Sequence, residues 1–245
     1  GSLTLWLYYD RDTVELTFDP NGGTLAQTVQ TLRYGAPLDD IRPAWDDDHT
    51  FSGWYTDTTY KTQVTTAPAA AMTLYARWTF GTVNYTVEHY VMGTDGQYPA
   101  SATVRDTTKN GVVDSSVTLA DLKDSTLEAA NGITYAYATV DGGTEPAKET
   151  TVVSGRVVKL FYERKSFTVT FDANGGTLEG GEQTLYYGAS LTGITPTRAN
   201  YTFTGWYDTA AANGTAVTTV PASSGDSQTF YAGWRANEVT FTVQH

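Results

Sequence analysis

Residues 13–25 read TVELTFDPNGGTL, and residues 167–178 read FTVTFDANGGTL. In both stretches apolar and polar residues alternate, which is typical of a half-buried strand, and the strand runs into Asn-Gly-Gly. Because asparagine and glycine readily adopt positive φ, this tripeptide predicts a tight turn or hairpin directly after the strand. A phosphate-binding loop would need a helix pattern and a lysine after the glycines, and neither follows. The motif therefore indicates β-structure rather than a nucleotide site.

The similarity between the two stretches continues downstream in the same order. Three further motifs recur: RYGAPL (33–38) as YYGASL (186–191), TFSGWY (50–55) as TFTGWY (202–207), and LYARW (74–78) as FYAGW (230–234). The offset is 153 residues at Phe18, 152 at Trp54 and 156 at Trp78, and drifts of this size are typical of insertions in surface loops. The chain therefore contains two copies of one module.

A second repeat involves the two ends of the chain. LWLYYDR (5–11) resembles KLFYERK (159–165), and FTVQH (241–245) resembles YTVEH (85–89). We therefore expect an alternating array of five segments: the last strand of a truncated middle-type module (1–12), a repeat module (13–79), a middle module (80–165), a second repeat module (166–235), and the first strand of another truncated middle-type module (236–245). The two lone strands, 3–9 and 239–245, predict self-association through edge strands.

Composition excludes several classes of function. Asp and Glu number 27 against 15 Lys and Arg, so the formal net charge is -12 and no basic field exists to attract nucleic acid or an anionic membrane. The absence of cysteine excludes disulfides, thiolate metal sites and cysteine nucleophiles. No apolar run approaches the roughly 18 residues of a membrane span, so we expect no membrane insertion. The abundance of tyrosine, phenylalanine and tryptophan favours strands.

The middle module combines strand patterns with one helix pattern. Strands are predicted at 83–91, 133–140, 150–154 and 156–162, and a further strand or loop is predicted near 102–105. Thr118-Leu119-Ala120-Asp121 has the spacing of a helix start, with Leu119, Leu122 and Ala130 on one apolar face and Asn131-Gly132 as the stop. The fold class predicted for the chain is α+β, mainly β.

Side chains that could carry chemistry are few. The histidines are His49, His89 and His245, and no pair has zinc-site spacing. The alternation of YTVEHY predicts that His89 is structural. Asp46–Asp48 before His49 could be a calcium loop, but the run lacks the alternating ligands and distal Glu of an EF-hand, so we interpret it as a solvated acidic turn. No nucleophile-elbow motif occurs. We therefore predict no catalytic, cofactor-binding or metal residues, no cofactor and no enzymatic activity.

The recurring tryptophans have two interpretations. Trp54 and Trp206 follow a glycine that permits close approach of the backbone. Their matched positions favour core packing over a platform for sugar stacking, because modules this small need heavy aromatic side chains to bury enough surface.

The quoted motifs carry two family resemblances. FDPNGGTL, GWY and LYARW, with their copies FDANGGTL, GWY and FYAGW, resemble the internalin B-repeat family, also called the Listeria-Bacteroides repeat. VNYTVEHYVMGTDGQYP (83–99), NGITYAYA (131–138) and VVKLFYERKSFTVTF (157–171) resemble a mucin-binding-protein (MucBP) repeat. Both resemblances imply small β-grasp, ubiquitin-like modules in tandem on secreted or wall-attached bacterial proteins, without a catalytic residue. The MucBP resemblance also implies mucin or glycan binding.

Two functions follow as hypotheses. In KLFYERKSFTVTF (159–171) and LYYDRDTVELTF (7–18) only about four polar residues separate one module from the next, too few for a flexible linker. This favours an elongated rod of modules, a stalk that projects the binding region of a bacterial surface adhesin from the cell. The alternative is direct binding of mucin, glycans or host surface proteins by residues 80–165. Either function places the protein outside the cell, at the bacterial surface or secreted.

Overall fold

The computed structural model describes residues 2–128 and 132–243. It is almost entirely β and contains several small sheets. The described strands are β1 (Thr13–Asp19), β2 (Val29–Arg33), β3 (His49–Tyr55), β4 (Gln63–Val64), β5 (Met72–Phe80), β6 (Thr82–Val91), β7 (Val104–Val112), β8 (Ser116–Thr118), β9 (Ile133–Val140), β10 (Glu149–Thr151), β11 (Val157–Arg164), β12 (Ser166–Asp172), β13 (Glu182–Tyr186), β14 (Tyr201–Tyr207) and β15 (Ser227–Ala236).

The chain divides into two compact units. The first consists of Gly1–Asn84, Asn110–Ser115 and Thr151–Ser154. The second consists of Tyr85–Lys109, Ser116–Thr150 and Gly155–His245. The first repeat therefore lies in unit one together with the start of the middle segment and two short stretches from later in that segment, and the second repeat lies in unit two.

Unit one contains a mixed sheet with the strand order β2-β1-β5-β3-β4. The central strands β1 and β5 are parallel, and β2 and β3 run antiparallel to them at either side. Val14, Leu16 and Phe18 on alternate positions of β1 are buried, whereas the residues between them are exposed. The period-2 pattern of the sequence is therefore confirmed, and its apolar face forms the core of the repeat.

The second repeat reproduces this sheet in unit two. The strand order is β13-β12-β15-β14, with β12 and β15 parallel in the centre. Phe171 pairs with Phe230 as Phe18 pairs with Leu74 in the first repeat. The counterpart of the fifth strand, β4, is reduced to a single bridge between Trp206 and Val217. The two copies identified from sequence thus have one topology and separate cores.

The middle segment contributes a sheet of the same order, β7-β6-β11-β9. Its central pair, β6 and β11, is again parallel, with Leu160 opposite His89, and β9 runs antiparallel to β11. The segment near 102–105, predicted as a strand or a loop, leads into β7, which begins at Val104 and extends to Val112. The predicted strand at 150–154 is shorter and becomes β10, which pairs with β8.

The predicted helix after Thr118 is largely wrong. Leu119–Leu122 forms one 3-10 turn, and only Ser125–Glu128 is α-helical (α1). Thr118 makes no capping hydrogen bond, and Lys123 adopts an extended conformation that interrupts the helix. The carboxylate of Asp124 then accepts the N–H of Thr126 at 2.9 Å and starts a new turn. The predicted residues Ala130 and Asn131 lie outside the described residues.

The strands predicted at the two ends do not form. Residues 2–12 and 237–243 carry no strand, and apolar side chains such as Trp6 and Tyr8 are 75% and 91% exposed. A strand needs a run of ladder hydrogen bonds with a neighbour. The carbonyl of Asp12 accepts the N–H of Tyr34 at 2.8 Å, and the N–H of Asn237 donates to the carbonyl of Asn200 at 2.9 Å, but no strand extends from either bond in the part of the chain that the structure describes. His245 lies outside the described residues, and self-association through these segments stays a prediction.

Candidate functional site

Both repeats bury the tryptophan of their Gly-Trp-Tyr motif in the same way. Trp54 and Trp206 are each 2% exposed. The indole N–H of Trp54 donates to the carbonyl of Ile41 at 2.7 Å, and that of Trp206 donates to the carbonyl of Ile194 at 2.8 Å. A buried indole with a satisfied N–H is a packing element. The predicted core role of these tryptophans is confirmed, and their rings offer no open face to a sugar.

The glycine of the same motif lies at a β-bulge. Gly53 has a φ of +131° and Gly205 a φ of +135°, a region that side chains with a Cβ rarely adopt. A Cβ on Gly53 would collide with the side chain of Gln63, and one on Gly205 would lie 2.8 Å from the Cβ of Ala216. The predicted close approach is confirmed, although the approaching group is a side chain rather than backbone.

The Asn-Gly-Gly motif forms a tight turn that an indole closes. Asn21 and Gly22 have φ values of 47° and 99°, the combination of a type I′ turn. The N–H of Gly23 donates to the carbonyl of Pro20 at 3.1 Å, and the indole N–H of Trp78 donates to the same oxygen at 3.0 Å. The motif therefore serves the internal packing of the repeat.

The second repeat has the same arrangement. Asn174 and Gly175 have φ values of 49° and 85°, and the indole of Trp234 donates to the carbonyl of Ala173 at 3.0 Å. The side-chain amide of Asn174 donates to the carbonyl of Ala232 at 2.9 Å. A motif whose polar groups bond within its own module is a folding signal rather than a ligand site.

The acidic turn before His49 is solvent-exposed at Asp46 and Asp47, as predicted. His49, which follows the turn, is buried, with 3% of its side chain exposed. Its Nδ1 lies 2.5 Å from Oδ1 of Asp46, and this hydrogen bond lowers the pKa of Asp46. In the described ranges, no three His, Asp or Glu side chains are placed to hold a metal ion. The calcium-loop alternative stays untested.

His89 has a structural place in the core of the middle sheet. It lies on β6, is buried, and its Nδ1 is 2.9 Å from the hydroxyl of Tyr162. That hydroxyl also accepts the backbone N–H of Asp124 at 2.9 Å, so its own proton points to the histidine. Burial lowers the pKa of His89 and raises that of Tyr162 to about 12. The neutral imidazole therefore acts as a hydrogen-bond acceptor within the fold.

An arginine holds the joint between the middle segment and the second repeat, within unit two. Arg164 ends β11, and its Nε donates to the carbonyl of Met92 at 2.8 Å. Its Nη1 donates to the carbonyl of Tyr187, in the turn after β13, at 2.9 Å. The ring of Tyr187 lies against Gly132, at a place that a Cβ would occupy. One half-buried guanidinium therefore ties a strand end, a loop and the following repeat together.

The lysine after this arginine extends the joint. Its backbone N–H donates to the carbonyl of Gly132 at 2.9 Å, and its carbonyl accepts the N–H of Tyr187 at 2.8 Å. The ammonium of Lys165 lies 3.3 Å from Asp226 and donates to the carbonyl of Ser223 at 3.2 Å. The connection from β11 to β12 is thus bonded on both sides rather than free.

The same arginine contact recurs before the first repeat, within unit one. Arg11 precedes Arg164 by 153 residues, and its Nη1 lies 3.4 Å from the carbonyl of Tyr34, the counterpart of Tyr187. Sequence reasoning did not identify either arginine as a joint residue. Their common offset, equal to that of Phe18 and Phe171, was the signal that could have found them.

The shared topology, the duplicated cores and the bonded joint define a protein built from tandem small β modules. The family model of the Listeria-Bacteroides repeat domain (List_Bact_rpt) matches residues 15–77 and 167–233, together more than half of the chain. The chain therefore belongs to this family, with two copies of the repeat.

Repeats of this family are typical of bacterial surface proteins and are not known as enzymes. No curated protein sequence matches the chain. Within residues 2–128 and 132–243, no helix has the length and hydropathy that crossing a membrane requires. The family match does not extend over residues 80–165, so the resemblance of this segment to a MucBP repeat stays a prediction.

Proposed function

We propose that this chain is a non-enzymatic stalk segment of a bacterial cell-surface adhesin, in which tandem β-grasp modules hold a binding region away from the cell. The observation that carries the proposal is the bonded joint around Arg164. A guanidinium that hydrogen-bonds two carbonyls from different elements restrains both, because its planar fork fixes the direction of each bond.

The topology supports the β-grasp assignment. In each of the three larger sheets the first and last strands are parallel neighbours in the centre, and the third strand pairs with the last. Such a mixed four-stranded core is the arrangement that the ubiquitin-like resemblance implies. The middle module adds a 3-10 turn (Leu119–Leu122) and the short α1 between its strands, whereas the two repeats connect theirs by irregular loops.

Small-angle scattering tests the stalk. A compact globule of this length would have a radius of gyration of about 18 Å, and modules in line should clearly exceed that value. We expect Arg164→Ala to broaden the distance distribution, because it releases two hydrogen bonds at the joint. Arg235→Ala is the matched control, since this arginine is exposed and lies outside the joint. A radius near the compact value in the unmodified chain would refute the proposal.

A second function is direct binding of mucin, glycans or host surface proteins by residues 80–165. One observation favours it. On the face of the middle sheet opposite Leu160, Tyr90 and Tyr137 stack on either side of Phe161, with ring centroids 5.1 and 4.7 Å away. Tyr98 meets Phe161 edge-on at 5.0 Å. Phe161 and Tyr137 are half-buried, so part of this aromatic row is open to solvent, where its apolar surface can pack against a sugar ring.

Binding of the full chain to immobilised mucin and to a glycan array tests this second function. Tyr137→Ala removes one face of the aromatic row and should abolish binding, whereas Tyr207→Ala, in the second repeat, should leave it unchanged. Binding that survives loss of the aromatic row would contradict this site, and absence of binding by the unmodified chain would contradict the function.

A further inference from the structure

The first repeat holds one imidazole between two carboxylates. His49 begins β3, and its Nδ1 lies 2.5 Å from Oδ1 of Asp46 in the preceding turn. Its Nε2 lies 3.1 Å from Oδ2 of Asp114, which belongs to the loop between β7 and β8. Both partners lie in unit one. The ring therefore connects the first repeat to a loop of the segment that follows it.

This geometry fits only the protonated ring. A neutral imidazole has one N–H and one acceptor nitrogen, and an ionised carboxylate can only accept. With a carboxylate facing each nitrogen, the neutral ring would set a lone pair against one of them. The imidazolium donates to both Asp46 and Asp114, and both bonds are then charge-assisted.

The surroundings of the ring support the same state. The indole of Trp45 stacks on the imidazole at 3.9 Å with an interplanar angle of 6°, which favours a cation over a neutral ring. Phe80 of β5 contacts the ring edge-on and carries no charge. The titratable groups that face the ring are Asp46 from its own turn and Asp114 from the loop.

The pKa of His49 moves in the direction that this geometry requires. Burial of the ring opposes its charge, but the hydrogen bonds and the attraction to Asp46 and Asp114 outweigh burial. The pKa of His49 is therefore raised above its ordinary value of 6.5. A raised pKa means that the contribution to stability is fully present below pH 6.5 and is lost as pH rises through the pKa of the folded state.

Backbone hydrogen bonds near the ring show which segments protonated His49 holds together. The N–H of Gly81 donates to the carbonyl of Asp48 at 2.8 Å, and the N–H of Val113 donates to the carbonyl of Gly81 at 3.0 Å. Asp114 itself has a φ of 61°, a conformation that aspartate tolerates better than most residues. The loop is thus bonded to the first repeat beside the imidazole.

The second repeat has no histidine at the position of His49. Tyr201 occupies the place of His49, and Arg198 the place of Trp45. The Arg198 guanidinium lies over the Tyr201 ring at 3.9 Å. A cation stacked on an aromatic ring is retained there with the roles reversed, but the cation is an arginine, which keeps its charge at all physiological pH values.

We propose that His49 is a proton-controlled clasp that fastens the loop at 113–115 to the first repeat when protonated and releases it when deprotonated. The clasp does not depend on the stalk function proposed above. It predicts that the contact between this loop and the first repeat is firm at mildly acidic pH and loosens as the pH rises.

Two measurements on the full chain test the clasp. Long-range proton–nitrogen NMR of the imidazole rings between pH 5 and 9 gives the pKa of His49, which should lie above 6.5. Hydrogen exchange of the Gly81 and Val113 amides, corrected for intrinsic rates, gives loop opening over the same range. Each unit by which the measured pKa exceeds 6.5 should correspond to about a tenfold loss of protection above that pKa.

Variants separate the clasp from a passive core histidine. Asp114→Asn should lower the pKa of His49, whereas Asp47→Asn, a neighbouring carboxylate outside these contacts, should leave it unchanged. His49→Tyr, the residue of the second repeat, should remove the pH dependence of amide protection. A pKa at or below 6.5, or amide protection that is independent of pH in the unmodified chain, would overturn the proposal even if His49→Tyr does not fold.

Discussion

Replacing Trp206 by alanine should unfold the second repeat while the first remains folded. The indole is 2% exposed, and it packs edge-on or tilted against Phe171 and Phe203 at 4.8 and 5.3 Å. Removing a buried tryptophan side chain costs about 3–5 kcal/mol. The carbonyl of Ile194 also loses its donor, which adds about 1–3 kcal/mol if water does not replace it.

These costs compare directly with the stability of the module. Its matched length, residues 167–233, corresponds to roughly 3–10 kcal/mol at about 0.05–0.15 kcal/mol per residue. The loss therefore amounts to about a third or more of the free energy of unfolding, and it matches or exceeds that free energy at the low end of the stability range. The first repeat has a separate core, so its stability should change little.

Hydrogen exchange followed by mass spectrometry resolves the two repeats in one experiment. Peptides from 167–233 should lose protection in Trp206→Ala, and peptides from 15–77 should keep it. Trp54→Ala should give the reverse pattern, and Trp6→Ala, at an exposed ring, should give neither. If Trp206→Ala leaves both repeats protected and shifts the unfolding free energy by less than about 1 kcal/mol, the tryptophan does not hold the core.

Three further outcomes follow from the structure. Gly205→Ala should destabilise the second repeat by more than about 1 kcal/mol because of its positive φ and the nearby Ala216, whereas Gly225→Ala, with ordinary contacts, should change little; thermal melts of both variants decide this. Since the pKa of His89 is lowered, its contribution to stability is present above pH 6.5 and is lost as pH falls towards the pKa of the folded state, so NMR titration should show His89 neutral where His49 is charged. Calcium should not raise the melting temperature relative to a chelator, because the carboxylate of Asp46 already binds an imidazole; a rise would restore the calcium-loop interpretation.

Local patterns predicted the repeats well. Alternation over Val14, Leu16 and Phe18 gave the buried strand, and Asn-Gly-Gly gave the turn, because both depend on neighbouring residues in the chain. Recurrence of the tryptophans predicted their burial, since a matched position in two copies reflects a shared core. These patterns involve residues close together in the sequence, and each of them occurs in both copies of the repeat.

Contacts that join distant residues could not be predicted in this way. Asp114 meets His49 across 65 residues, and neither residue sits in a pattern that indicates the other. The helix after Thr118 was overestimated because its apolar spacing was visible while the extended conformation of Lys123 was not. Strands at the two ends were expected from their resemblance to strand sequences of the middle module, but pairing depends on a neighbouring strand that sequence similarity cannot supply.

The parallel pairing of first and last strands governs how each module responds to tension. A parallel central pair, such as β1 with β5, means that the chain comes in at one end of the pair and leaves at the other. A pull on both termini therefore slides the two strands past each other and loads all their ladder hydrogen bonds at once, instead of breaking them one by one. The same holds for β6 with β11 and β12 with β15, so each module is built to resist shear.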